Sequence, residues 1–144
     1  MWLLGDIITL KATGEETEGK YSAWEIEVAS QSGTPSHYHT NLHEGFYVLE
    51  GEFSFQYDER TINATNGSFI HIRKEAIHKY KNIGESTGRL LVTGIPAGLE
   101  NFFEDAGIAF TDEKTFTAPS SPPDIAKIVD ISRKHGIFYV PTLK

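Results

Sequence analysis

The sequence predicts a mainly β domain, a sandwich or barrel of short strands that is followed by two α-helices. Over roughly residues 1–96, apolar and polar side chains alternate with a period of two in short runs that turn sequences separate. After Pro96, apolar residues recur at helical spacing. Short strands at such intervals are typical of an all-β sandwich or barrel. We expect one domain over 1–144, with a β-barrel over 1–96 and a helical extension over 97–144.

The clearest strand pattern is the run YSAWEIEVAS. Trp24, Ile26 and Val28 fall on one face of an extended chain, and two glutamates fall on the other. The run FYVLEGEFSFQYDE predicts two further strands around Glu50-Gly51, because glycine permits the backbone conformations of tight turns. Four more strands are predicted at Arg60 to Asn63, Ser68 to Ile72, Ile77 to Lys81 and Arg89 to Ile95.

Two helices are predicted beyond Pro96. Apolar residues spaced i, i+3, i+4 and i+7 predict an amphipathic helix that ends at Gly107; they are Leu99, Phe102, Phe103 and Ala106. The second helix is predicted to begin in the sequence SPPD, with Ser121 as its N-cap and Pro122 in the first helical position. Its predicted apolar stripe consists of Ile125, Ile128, Val129 and Ser132, with Ile131 at the edge and Gly136 closing the helix.

Charge and composition restrict the classes of function. The formal net charge is -7, with 13 Lys and Arg against 20 Asp and Glu, which disfavours binding to nucleic acid or to an anionic membrane surface. The chain has no cysteine, so metal ligands must be nitrogen or oxygen atoms. No run approaches the ~20 apolar residues of a transmembrane helix, and the N-terminal apolar run is too short for a signal peptide. We therefore expect a cytoplasmic protein.

The segment HYHTNLHE at residues 37–44 carries the strongest functional pattern. On a strand, side chains two residues apart point the same way at about 6.5 to 7 Å, so His37 and His39 can converge on one ion. Glu44 can add a carboxylate after a short loop, and His78 from a distant strand can complete the set. Three imidazoles and one carboxylate would leave about two positions of an octahedral ion open to substrate and dioxygen or water.

This pattern resembles the two motifs of the cupin family. The first motif, G-x5-H-x-H-x3-4-E-x6-G, is matched from its first histidine onward, whereas Gly33 lies two positions later than the leading glycine. The matching residues are His37, His39, Glu44 and Gly51. In the second motif, G-x5-P-x-G-x2-H-x3-N, Arg73 and Glu75 replace the proline and the inner glycine. Its matching residues are Gly67, His78 and Asn82. Two motifs in the right order are far more specific than a lone HxH.

The resemblance implies an antiparallel jelly-roll β-barrel that holds one divalent transition metal ion (Fe, Mn, Ni, Cu or Zn) on His37, His39, Glu44 and His78. The loss of Pro-x-Gly is expected to alter one turn and to leave these ligands in place. The runs PAGLENFFEDAG and HGIFYVP are similar to small single-domain bacterial cupins described as quercetin 2,3-dioxygenase-like. We therefore expect a metal-dependent dioxygenase acting on a small organic substrate inside the barrel, with Glu44 as the catalytic proton acceptor.

Three alternatives to a dioxygenase remain open at this point. With zinc or another redox-silent metal, the same site would polarise a carbonyl for isomerisation or hydrolysis. A barrel that binds or senses a small ligand without turnover would carry the same motifs. A sugar epimerase would use histidine acid/base chemistry, although it would not require this ligand spacing. We also expect a homodimer, because jelly-roll barrels must shield their edge strands and this chain carries apolar helices beyond the barrel.

The remaining histidines and several aromatic residues are expected to be structural. His43 is not assigned as a ligand, because the motif requires a loop before the glutamate. His71 is expected to be half-buried in the packing or to line the cavity, and His135 to complement the C-terminal end of the second helix. The aromatic residues assigned to the core, a dimer contact or the pocket wall are Tyr47, Tyr80, Phe102 and Phe103.

Overall fold

The computed structural model of the chain describes residues 1–141, which form eleven β-strands and two α-helices. In chain order the elements are β1 (Trp2–Leu3), β2 (Asp6–Ala12), β3 (Ser22–Val28), β4 (His37–His39), β5 (His43–Glu50), β6 (Phe53–Tyr57), β7 (Arg60–Ala64), β8 (Phe69–Ile72), β9 (His78–Asn82), β10 (Gly88–Ile95), α1 (Leu99–Ala106), α2 (Ile125–Lys134) and β11 (Ile137–Tyr139). The prediction of a mainly β fold with two helices after it is confirmed.

The strands form two antiparallel sheets in a jelly-roll arrangement. The first sheet has the order β1-β2-β3-β10-β5-β8, and the second has the order β11-β4-β9-β6-β7. Apolar side chains of both sheets fill the barrel. The largest fully buried ones are Trp24, Phe53 and Phe55, none of which is more than 1% exposed. Burial of such side chains is the main source of stability in a fold of this kind.

The alternating pattern predicted the central strands well. In β3 the side chains of Trp24, Ile26 and Val28 are buried, whereas Glu25 lies on the outer face. There its Oε1 accepts a hydrogen bond at 2.6 Å from Nε of Arg89 on the neighbouring strand β10. The two strands predicted around Glu50-Gly51 are β5 and β6, and the four later strands are confirmed to within one residue at each end.

Three strands, β1, β2 and β11, were not predicted, and β11 changes the architecture. β11 pairs antiparallel with β4, so that Ile137 lies opposite His39 and Tyr139 lies opposite His37. The segment after residue 96 is therefore not only helical, because it also contributes an edge strand to the second sheet. Three residues are too few to show a period of two, and β11 is extended because β4 offers it unpaired backbone groups.

The first helix is confirmed, whereas the predicted start of the second was wrong. α1 spans Leu99–Ala106 and ends at Gly107. α2 begins at Ile125 rather than in the SPPD sequence, and its N-cap is Asp124, whose Oδ1 accepts a hydrogen bond at 3.1 Å from the backbone N–H of Lys127. A proline disfavours helical conformation in the residue before it, so Pro123 delays the start.

The apolar stripe of α2 also needs one correction. Ile125, the first residue of the helix, is 57% exposed. The rest of the predicted stripe is buried or half-buried. Ser132 is fully buried, and its hydroxyl donates to the carbonyl oxygen of Ile128 at 2.7 Å and lies 3.0 Å from Tyr139 Oη.

The two helices are tied to each other and to the barrel. Phe102 and Phe103 are each 6% exposed, and the ring of Phe103 meets that of Trp24 edge to face at 5.3 Å. The prediction that Phe102 and Phe103 are core residues is confirmed. His135, at the C-cap of α2, lies 2.6 Å from a carboxylate oxygen of Asp105 on α1. No helix within residues 1–141 has the length and the apolar character that a membrane crossing needs.

Candidate metal centre

The fold brings together the four predicted ligand residues from three strands and both sheets. His37 and His39 project from β4, Glu44 from β5 and His78 from β9. All four are buried, and each offers one ligand atom within 4.8 Å of the other three. As predicted from the period of two, His37 and His39 share the inner face of β4.

Backbone hydrogen bonds orient two of the imidazoles. Nδ1 of His37 lies 2.8 Å from the carbonyl oxygen of Pro35, and Nδ1 of His78 lies 2.9 Å from that of Ala76. A carbonyl oxygen can only accept, so Nδ1 carries the proton and donates in both rings. In the neutral ring, Nε2 then keeps its lone pair for an ion, which is the usual arrangement around histidine ligands.

The donor set fits a divalent transition metal. Oε1 of Glu44 lies 2.9 Å from Nε2 of His39 and 3.0 Å from Nε2 of His78. Neighbouring ligands that are each ~2.1 Å from an octahedral ion are about 3 Å apart. Although His39 is so close to the carboxylate, its Nε2 is not aligned for a hydrogen bond, and neither ring nitrogen has a partner within residues 1–141. A buried imidazole without partners is costly, and an ion would satisfy it.

Electrostatics within the cluster keep its protonation states suited to binding a cation. Burial tends to raise the pKa of Glu44, but the charges and contacts of His39 and His78 outweigh burial and hold this pKa well below its usual range. Burial, together with the charges of His78 and His39, lowers the pKa of His37 to about 3. The carboxylate is therefore ionised and His37 is neutral at physiological pH.

His78 responds in the opposite direction. Burial lowers its pKa, but the hydrogen bond and the charge of Glu44 outweigh this effect, so that the pKa is raised above 6.5. In metal-free protein, Glu44 therefore favours the protonated form of His78. A cation competes with that proton for Nε2, so metal affinity falls as pH falls.

Gly33, which precedes the ligand strand, makes a close backbone approach to β9. It pairs with Lys81 in an isolated bridge. A Cβ on residue 33 would overlap the carbonyl oxygen of Tyr80, so only glycine fits there. The glycine that stands two positions late in the first motif thus brings the chain against β9 just before it enters β4.

The turn before His78 keeps a conformation that glycine favours, although the motif's glycine is absent. Glu75, which replaces it, has a φ of 71°. Its backbone N–H donates to the carbonyl oxygen of His39 at 2.8 Å, and this bond ties the turn to the ligand strand. The left-handed conformation costs a residue with a Cβ about 1–2 kcal/mol. The four ligand residues nevertheless converge.

Comparison with known proteins agrees with the fold and with this cluster. Residues 24–94 match the family model of the cupin domain. This segment of the chain is a cupin domain. Over 106 residues, or 73% of the chain, this cupin is 27% identical to quercetin 2,3-dioxygenase of Bacillus subtilis (strain 168), and the matched segment spans 31% of that relative's length.

Solved structures share the cupin fold. One is KdgF from Halomonas sp., with a TM-score of 0.61 and 13% identity over 67% of this chain and 84% of that one. Another is the cupin domain of Schizosaccharomyces pombe Cnp3, with a TM-score of 0.60 and 18% identity over 75% of this chain and 72% of that one. At these identities the similarity concerns the fold alone.

The other histidines near the ligand strand lie outside the cupin cavity. His43 is exposed, its Nδ1 accepts a hydrogen bond from the backbone N–H of Lys74 at 3.0 Å, and its ring stacks on His71 at 5.7 Å. The prediction that His71 is half-buried or lines the cavity was wrong, because the alternate residues Ile70 and Ile72 take the inward positions of β8.

Of the two tyrosines assigned to the core or the pocket wall, only Tyr80 faces inward. Tyr80 is 4% exposed and lines the cavity beside the ligand cluster. Tyr47 is 40% exposed on the outer face of β5, so its assignment was wrong. Phe46 and Val48 take the inward positions on either side of it.

A cavity of about 140 Å³ adjoins the ligand cluster. Its wall includes His37, His39 and Glu44, and most of its other residues are apolar. The C-terminal elements close part of it; they contribute Leu99, Phe102, Phe103, Ile128, Ile137 and Tyr139. The two helices and β11 are therefore part of the cavity wall.

One acidic residue of the cavity was missed by sequence reasoning. Asp6, the first residue of β2, lines the same cavity as the ligand cluster. The only hint was the glycine before it, which suggested a turn. Whether an aspartate after a turn points outward or inward depends on how the hairpin packs, which the pattern does not reveal.

Proposed function

We propose that this cupin is a mononuclear metal-dependent dioxygenase that acts on a small organic substrate in the barrel cavity. The observation that carries the proposal is the convergence of three buried imidazoles and one carboxylate on a largely apolar cavity. The residues are His37, His39, Glu44 and His78. The 27% identity to quercetin 2,3-dioxygenase of Bacillus subtilis supports the reaction class.

A divalent transition metal on these four residues would supply open coordination positions and redox chemistry for a substrate and dioxygen. The chain's own residues prepare the site for that chemistry. The carbonyl oxygens of Pro35 and Ala76 hold the rings of His37 and His78 with Nε2 directed into the site. The largely apolar wall lowers the local dielectric constant and so strengthens electrostatic interactions within the cavity.

Glu44 is the proposed proton acceptor. Its carboxylate is buried and remains ionised, because His39 and His78 hold its pKa well below the usual range. A hydroxyl proton of a substrate bound beside it can therefore pass to the carboxylate as the substrate becomes an anion. Tyr80 stays protonated, since burial raises its pKa well above 10, and its hydroxyl can donate a hydrogen bond.

The size of the cavity indicates a substrate class. Its volume of about 140 Å³ is close to the ~150 Å³ of an engineered protein cavity that holds one benzene molecule. A single-ring or short-chain molecule fits this volume, whereas a flavonol with three rings exceeds it. Within the dioxygenase proposal, we therefore expect acireductones and catechols to be better substrates than flavonols.

Oxygen consumption tests the proposed activity. Protein stripped with a chelator and reloaded separately with Fe(II), Mn(II), Ni(II), Cu(II) or Zn(II) is incubated with acireductones, catechols, small thiols and flavonols in an oxygen electrode. We expect uptake with at least one redox-active metal and none with zinc. At equal metal content, Glu44→Gln should lower kcat about 100-fold, the usual scale of a lost general base.

His43→Gln is the matched control, since His43 lies in the same segment but outside the cavity. It should leave the rate unchanged. Metal binding without oxygen uptake for any substrate would contradict the dioxygenase and would support the alternative, a cupin that binds a small ligand without turnover.

We also propose that the protein forms a homodimer through the outer face of β5 and β8. β8 is an edge strand, and its Phe69 is 62% exposed directly opposite the exposed Tyr47. An apolar patch on an edge strand favours association. Light scattering should give twice the chain mass of 16.1 kDa, and Phe69→Glu should give the monomer. A wild-type mass of 16.1 kDa would refute the dimer.

A further inference from the structure

A second carboxylate, that of Asp6, is built into the cavity wall. It follows the tight turn between β1 and β2, in which Leu4 has a φ of 50° and Gly5 a φ of 97°. Leu3 and Asp6 face each other across the hairpin, and Leu3, Leu4 and Asp6 all line the cavity. A residue other than glycine in the left-handed region is strained, so the hairpin holds this geometry at a cost.

The carboxylate of Asp6 lacks a partner within the described chain. Its Oδ1 is buried and accepts no hydrogen bond within residues 1–141. Burial alone raises its pKa to about 7, with no opposing contribution from a cation. The residues that line the cavity include neither lysine nor arginine. A carboxylate with a buried, unpaired oxygen destabilises a fold, and such groups are concentrated at functional sites.

Asp6 and Glu44 both influence the pKa of Tyr80, which lines the same cavity. Burial raises the pKa of Tyr80, and the negative charges of Asp6 and Glu44 both raise it further. Both carboxylates therefore lie within electrostatic range of one buried phenol, which itself lines the cavity. Because Asp6, Tyr80 and three of the cluster residues line one cavity of about 140 Å³, a ligand of the size of that cavity that meets the cluster at one end can contact Asp6 at the other.

We propose that Asp6 is the specificity-determining residue of this cavity, and that it accepts a hydrogen bond from a hydroxyl or protonated amine of a single-ring ligand whose other end reaches the metal cluster. This proposal rests on the proposed function for the location of the binding site, but it does not require turnover. Because the wall holds two carboxylates and neither lysine nor arginine, a ligand that carries its own carboxylate at the Asp6 end is repelled.

Four catechols that differ in one substituent test this selectivity. They are 3,4-dihydroxybenzylamine, 3,4-dihydroxybenzyl alcohol, 4-methylcatechol and 3,4-dihydroxybenzoate, and all share the same metal-binding hydroxyls. Their affinity for zinc-loaded protein is measured by isothermal titration calorimetry at pH 8, where no turnover occurs. We expect the amine to bind most tightly, then the alcohol, then the methyl compound, and the benzoate to bind at least 10-fold more weakly than the amine.

Asp6→Asn should weaken binding of the amine about 10-fold and leave 4-methylcatechol unchanged, a pattern that a merely structural role would not produce. Asp130→Asn is the charge-matched control, because Asp130 is exposed on α2, and it should retain the wild-type order. Equal affinities for the four probes, no binding of any of them, or an amine preference that persists in Asp6→Asn would overturn the proposal. The binding assay uses zinc and needs no turnover. A failure to detect oxygen consumption would therefore not affect the test of Asp6.

Discussion

Replacing His78 with alanine is expected to reduce bound metal from about one ion per chain to a small residual fraction. The change removes one of the four converging donors and leaves His39 as the remaining histidine within 3 Å of the ionised Glu44 in the cluster. Loss of a residue that merely supports a ligand lowers metal affinity about 10–100-fold, so loss of a ligand itself should cost about 100-fold or more. Elemental analysis after dialysis against trace metal measures the effect.

Glu44→Ala is expected to have an effect of the same size, because it removes the only carboxylate of the cluster. His43→Ala and His71→Ala serve as controls, since both rings stack on the outer surface and neither reaches the cavity. Full metal content in Glu44→Ala or His78→Ala would refute the ligand assignment. Reduced metal content in His43→Ala would show that the outer histidines contribute.

Removal of the unpaired carboxylate at Asp6 should change the pH dependence of stability in metal-free protein. Burial raises the pKa of Asp6 from 3.8 to about 7, so between pH 4.5 and 6.5 the folded state binds a proton that the unfolded chain does not. This contribution to stability grows by about 1.4 kcal/mol for each unit that the pH falls. The Asp6→Asn variant lacks it.

His37 opposes Asp6 over the same range. Its pKa falls from 6.5 to about 3 on folding, so the unfolded chain binds the extra proton and stability decreases as the pH falls. In the wild type, the two contributions cancel between pH 4.5 and 6.5. The Asp6→Asn variant lacks the contribution of Asp6 and keeps that of His37. We expect its free energy of unfolding to fall by about 2 kcal/mol relative to that of the wild type between pH 6.5 and pH 4.5.

Glu44 and His78 change the stability mainly outside the range from pH 4.5 to 6.5. The lowered pKa of Glu44 gives stability that is present above pH 4.5 and is lost as pH falls toward the folded-state pKa. The raised pKa of His78 gives stability that is present below pH 6.5 and is lost as pH rises through its folded-state pKa. Glu27, whose pKa burial raises from 4.5, contributes equally to the wild type and to Asp6→Asn, so the difference between their curves reports Asp6.

Urea denaturation of chelator-treated protein at pH 4.5, 5.5, 6.5 and 8 provides the measurement. At pH 8, where wild-type Asp6 is buried and ionised, Asp6→Asn should be more stable than the wild type by up to about 4 kcal/mol. Asp130→Asn should follow the wild-type curve. An Asp6→Asn curve parallel to that of the wild type would show that Asp6 is not a buried titrating group. A gain in stability with weaker amine binding would be typical of a functional residue.

Much of the fold was predictable because β-strand alternation is a local property. Trp24, Ile26 and Val28 fall inward for the same reason that His37 and His39 do, since side chains two residues apart share a face. The failures occurred where local pattern and packing diverge. His71 alternates correctly within β8, but its phase relative to the barrel interior depends on how β8 pairs with β5.

By itself, the sequence determined which strand residues are buried and which four side chains converge, because spacing along a strand and the two motifs are contained in the chain. Only the tertiary structure decided that Asp6 and β11 reach the same cavity as those ligands. Both placements depend on contacts between segments far apart in sequence, and such contacts leave no local period. The physical reason is that a turn or a three-residue strand takes its direction from the backbone groups and the apolar surface against which it packs.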